Sequence, residues 1–125
     1  SIPSVVILKL IAFDDRPDQR VKDVKDIDRI CKHYPDIETN NIWDNHNDLY
    51  VEDRSLEVVA MIVLGREMKL ITEQNERLHN RILDIIDRAI DEESSLMVHM
   101  IEDFENETLA QKRSILLNIK QGLTE

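Results

Sequence analysis

A chain of 125 residues with a formal charge of −10 and 34% charged residues has room for one core, burying about two-thirds of its unfolded surface. That charge disfavours general attraction to nucleic acid or to an anionic membrane. The longest unbroken apolar run, Val58 to Leu64, is far shorter than the roughly 20 residues of a membrane span, so no membrane span is expected. The single cysteine, Cys31, has no internal disulfide partner, and the opening residues lack the charged-then-apolar order of a secretory signal; both features point to a reducing, cytoplasmic setting.

With two glycines, three prolines and apolar residues recurring every three or four positions, the chain is expected to be all-α, a bundle of six or seven helices. The first helix runs from Pro3 to Phe13 or Asp14. It is apolar on nearly every side, and such a helix belongs inside a protein, so further chain is expected before it. Lys9 is the only polar residue between Val5 and Phe13. Its ammonium either snorkels to water or faces a phosphate or buried carboxylate, because an unpaired charge among aliphatic groups is costly.

Asp14-Asp15-Arg16-Pro17-Asp18 reads as a turn with capping residues, with cation binding by its acids a lesser alternative. A second helix follows from about Asp18 to His33. At 100° per residue, Asp23, Ile27, Ile30 and Tyr34 fall within about 60° of one another, which places Asp23 on the apolar stripe with Asp26 at its flank. Lys22, Lys25 and Arg29 point elsewhere. In an antiparallel hairpin Lys9 and Asp23 lie at similar distances from the bend and can meet, either as a buried ion pair or as a poised charge pair in a cleft.

These residues carry a resemblance. Leu8-Lys9-Leu10-Ile11-Ala12, then Asp15-Arg16, then Lys22-Asp23-Val24-Lys25-Asp26-Ile27 resembles the second half of predicted nucleotidyltransferases related to the AbiEii-type toxins of toxin–antitoxin systems, members of the polymerase-β-like nucleotidyltransferase superfamily. The likeness covers Pro3 to Tyr34. Ala60 to Glu67 and Leu116 to Leu123 are similar to the helical tail of such proteins with less specificity.

The resemblance implies transfer of a nucleoside monophosphate from a nucleoside triphosphate, with Mg2+, to an unknown acceptor on RNA, protein or a small molecule. It implies that Lys9 contacts the triphosphate, that Asp23 is the later catalytic acid completing the pocket, and that Arg16, Lys22 and Asp26 line or support it. Family members carry a Gly-Ser motif and paired metal-binding carboxylates on an N-terminal mixed sheet. No Gly-Ser followed by Asp-x-Asp occurs here. The chain is therefore expected to be the C-terminal helical domain or a fragment of a larger α/β nucleotidyltransferase. Residues 1–34 would form the hairpin and 35–125 the tail. Without the N-terminal catalytic region it would be inactive, with neither metal nor cofactor of its own.

Asp36 is expected to cap a third helix reaching about Asp48. Asp44, His46 and Asp48 lack a zinc-like spacing, and Trp43 is read as a core anchor in preference to a base-stacking platform. Ser55 caps a fourth helix, apolar on nearly every side from Leu56 to Ile71, that forms the centre of the bundle. Gly65 within it suggests close helix approach, and Arg66 and Glu67 either face the pocket or, as the commoner case, form a solvated pair.

A fifth, amphipathic helix runs from about Asn75 to Glu92. A sixth begins at Ser94 or Ser95 and carries apolar residues as far as Phe104, and a seventh begins at Thr108. Glu102, Asp103, Glu105 and Glu107 read as a solvated acidic face. Two further functional readings remain from the residues alone. One is a non-catalytic helical interaction module, with helix one inviting a homo-oligomer; the other is an acidic metal-binding bundle around Asp14, Asp15 and Asp18.

Overall fold

The computed structural model describes residues 1–51, 53–92 and 95–125. Among them lie seven α-helices and one 3-10 turn, with no strand. The helices are α1 (Ile2–Asp15), α2 (Val21–Ile37), α3 (Thr39–Asn45), α4 (Leu56–Thr72), α5 (Glu76–Glu92), α6 (Ser95–His99) and α7 (Leu109–Leu123), with the 3-10 turn at Asn47–Leu49. No helix among the described residues is long and apolar enough to cross a membrane.

The helix starts follow from side-chain capping. Ser1, Ser55 and Thr108 each accept a backbone N–H of the first turn, and Thr108 forms a reciprocal box with Gln111, satisfying donors that a helix start leaves open. Asn75 does the same for Leu78 at the head of α5. Ser94 lies outside the described residues.

α4 is the axis of the fold. Its run from Val59 to Gly65 is buried on every side, and its most extensive packing is against α7. The two glycines of the chain meet at that crossing. A methyl group on Gly65 would collide with the Ile119 carbonyl, and one on Gly122 with the Ile62 carbonyl and the Arg66 amide, so close approach is what both positions require. α1 and α2 form a hairpin that also leans on α4, while α5 closes the far side against α1, α4 and α7.

α2 runs on to Ile37, past the expected end at His33, with Pro35 inside it. The usual stop before proline is a local steric preference. Here Tyr34 and Pro35 are both buried, the Glu38 amide still bonds the Tyr34 carbonyl, and Thr39 Oγ1 donates to the Pro35 carbonyl at 2.7 Å. Asp36 thus lies within α2 and caps nothing. α3 starts instead after Glu38, without a side-chain cap, and ends at Asn45.

Trp43 is not a core anchor. It is 53% exposed and lies flat on Tyr50, centroids 4.1 Å apart and planes 4° from parallel. Phe104, expected on the sixth helix, is 72% exposed in the connection that follows α6.

Candidate functional site

α1 brings Lys9, and α2 brings Asp23 and Asp26, to one point. Lys9 Nζ donates to Asp23 Oδ1 and to Asp26 Oδ2, each at 3.0 Å. The hairpin makes this possible because Lys9 flanks the buried stripe Val6, Leu10 and Phe13 of α1, while Asp23 sits on the stripe of α2 with Val24 and Ile27.

Arg20, in the turn before α2, donates to the other Asp23 oxygen at 2.5 Å. Gln19, Arg20 and Lys22 join Lys9, Asp23 and Asp26 around a cleft of about 320 Å³ open to solvent. Lys22 lines it from an exposed position, whereas Arg16 is exposed and outside its lining. Arg20 was discernible beforehand as the residue one helical turn ahead of a buried aspartate.

The charges hold one another in place. Hydrogen bonds from its ammonium to Asp26 and Asp23 raise the Lys9 pKa above its ordinary value, so the group is a cation at any physiological pH. Burial opposes ionisation of Asp23, but hydrogen bonds from Lys9 and Arg20 outweigh it and hold the carboxyl below its usual value. The cleft thus offers three cations, two of them engaged with Asp23, and two fixed carboxylates.

These residues do not fit a Mg2+ centre. Lys9 occupies both carboxylates, and among the described residues no three His, Cys, Asp or Glu side chains gather to hold a metal. Asp14 and Asp15, at the end of α1, pair instead with Arg88 and Arg81 of α5.

A second lysine–aspartate site lies deeper. Lys112 of α7 is 2% exposed and Asp28 of α2 fully buried; their charged atoms are 2.8 Å apart. Glu107 takes Lys112 at 2.7 Å and Lys32 at 3.2 Å. Lys32 also lies 2.8 Å from Asp28 Oδ2, an ion pair without well-aligned hydrogen-bond geometry. Glu107 in addition accepts the backbone N–H groups of Glu102 and Asp103, and Glu102 pairs with Arg29 at 3.2 Å. Glu107 is therefore a structural tie, whereas Glu102, Asp103 and Glu105 are exposed as expected of a solvated acidic face. The signal for Lys112 was its place on the stripe Leu109, Lys112, Leu116, Ile119, Leu123.

Arg66 and Glu67 do not pair with each other. Both turn to His46, whose Nδ1 faces Arg66 at 3.1 Å and whose Nε2 faces Glu67 at 3.2 Å, while Arg66 grips Asp48 with two nitrogens. His46 and Asp48 thus dock the α3 region onto α4.

No protein-family model, curated protein or solved structure matches the chain.

Proposed function

We propose that the chain is the helical part of a nucleotidyltransferase in which Lys9, with Arg20 and Lys22, holds the phosphates of a nucleoside triphosphate. Under this reading the Mg2+-binding carboxylates come from an N-terminal catalytic region of the intact enzyme, and the acceptor is undefined. One observation carries the reading: Lys9 and Asp23 meet in a cleft open to solvent, where a ligand has access, and not in sealed core.

The chemistry follows from the charges. Phosphoryl transfer is accelerated by positioning and by cations facing the charge that develops, with little covalent work for the protein. Lys9 is permanently charged, and a phosphate oxygen can take one of the N–H donors it now gives to Asp23 and Asp26. Asp23, held as the anion, orients Lys9 and Arg20 and does not deliver a proton. Asp26 keeps Lys9 in place on its second side, and Lys22 supplies a further cation at the rim.

Titration of the chain with inorganic tripolyphosphate, followed by two-dimensional NMR, tests the reading. Amide shifts confined to Lys9 and the segment 19–26 are expected, and Lys9→Gln should remove them without changing the circular dichroism. Shifts that persist unaltered in Lys9→Gln would sink the proposal.

A non-catalytic interaction module is the second reading. It is favoured by Val5 and Leu8 on α1, which are 38% and 67% exposed. Self-association through α1 would appear as a concentration-dependent mass in analytical ultracentrifugation that Leu8→Lys abolishes.

A further inference from the structure

The Trp43–Tyr50 stack stands apart from the Lys9 cleft and from the buried charges. Trp43 keeps 53% of its surface exposed although Tyr50 covers one face of its indole at 4.1 Å. The exposed area therefore includes the opposite face.

Tyr50 is a firm backing for it. The phenol packs partly against the core, and its hydroxyl is shielded from solvent with no hydrogen-bond partner among the described residues. Two parallel rings, the inner one anchored and the outer one bare, form a shelf for a third flat group.

The charge of the sequence on either side of Trp43 selects that group. Between Asp36 and Asp53 the sequence has six carboxylates, Asp36, Glu38, Asp44, Asp48, Glu52 and Asp53, and no lysine or arginine. Asp48 is held by Arg66. Asp44, next to Trp43 in the chain, is exposed and makes no ion pair among the described residues. The nearest arginine in sequence, Arg54, donates to the Leu49 carbonyl at 3.2 Å.

Single-stranded nucleic acid is bound where aromatic shelves line a positive groove, and here the sign is opposite. A neutral ring would gain stacking but nothing from the acids. A guanidinium gains both, because it is planar, stacks on aromatic faces, is more weakly hydrated than an ammonium and is always charged.

We propose that the Trp43–Tyr50 stack is a docking platform for an arginine side chain carried by a segment of a partner protein, with the exposed Asp44 and the acidic net charge drawing the cation in. Arginine is preferred over lysine because the shelf reads a flat cation, not charge alone.

Trp43 is the one tryptophan of the chain, so its fluorescence reports the platform directly. Titration with hexa-arginine should change the emission saturably, and hexa-lysine should bind more weakly. With a dye-labelled hexa-arginine read by anisotropy, Trp43→Ala should weaken binding roughly tenfold, and Asp44→Asn should weaken it too. Circular dichroism checks both folds, and the unmodified chain gives the fluorescence answer without either variant. Three outcomes would overturn the proposal: equal affinity for the two peptides with no effect of Trp43→Ala, which is plain charge attraction; no emission change with hexa-arginine; or saturable binding of oligothymidylate at Trp43.

Discussion

Lys112 and Asp28, 84 positions apart in the chain, close on one another at 2.8 Å with both side chains almost wholly out of water. A charge taken so far from solvent is tolerable only while its partner stays, since removing one member leaves the other desolvated and unpaired. Lys112→Met should therefore cost about 3 kcal/mol or more in urea unfolding. Asp28→Leu combined with Lys112→Met should recover a large part of that loss, because Lys32 and Glu107 still have each other at 3.2 Å. Strictly additive losses would mean that the two charges act separately.

Lys9 makes the contrast. Its side chain is 25% exposed where it pairs with Asp23 and Asp26, and water screens such pairs. Lys9→Gln should cost about 1 kcal/mol or less and leave the fold intact. A loss as large as that of Lys112→Met would make the Lys9 cluster a structural strut and remove the reason to look for a ligand there.

Acid stability should depend on Glu107. Hydrogen bonds from Lys112 first, and from backbone amides, hold its carboxyl well below the ordinary value of 4.5. A carboxyl depressed on folding contributes stability that is fully present above its unfolded pKa and is lost as pH falls below it. Glu107→Gln should therefore be less stable than the parent chain at neutral pH. The gap should narrow from about pH 5 to about pH 3, as read from urea midpoints. A constant gap would rule out ionisation as the cause.

Cys31 should be chemically silent in the folded chain. Burial, with the negative Asp28 nearby, pushes its thiol up to about 12, and only the thiolate reacts. A disulfide reagent at pH 8 should label it slowly in buffer and rapidly in denaturing urea. Fast labelling of the native chain would show that the contact between α2 and its neighbours opens readily.

The α4–α7 crossing should tolerate no side chain at either glycine. Gly65→Ala gains up to about 1 kcal/mol of helix propensity, yet its methyl would meet the Ile119 carbonyl, and in Gly122→Ala it would meet that of Ile62. Each variant should lose about 3 kcal/mol through forced separation of the helices. A neutral or stabilising result would mean that the helices slide apart without cost.

The Lys9–Asp23 meeting was legible in the sequence because it is local: two adjacent helices, one short turn, and a charged residue out of place on each stripe. Lys112 showed the same kind of misplacement on α7. Its partner was hidden, because nothing in spacing tells which surface α7 covers. Trp43 misled because tryptophan is usually buried, whereas the short α3 has one covered side and Ile42 occupies it. The end of α2 misled because a steric rule for Tyr34 and Pro35 is weaker than the burial both residues gain by staying helical. Gly65 was legible as a packing position, but Gly122 was found only as its counterpart across the crossing.

The order in which the helices leave the ribosome matters for a core of this shape. α4 is wholly apolar from Val59 to Leu64, yet its main cover, Leu109–Leu123, is made much later. At roughly 5–20 residues per second, the nascent chain holds that apolar rod without its main cover for several seconds, shielded only in part by α1, α2, α3 and α5. Release of a chain stopped short of α7 would leave a sticky helix in place of a nearly complete domain, a clear substrate for chaperones and proteases.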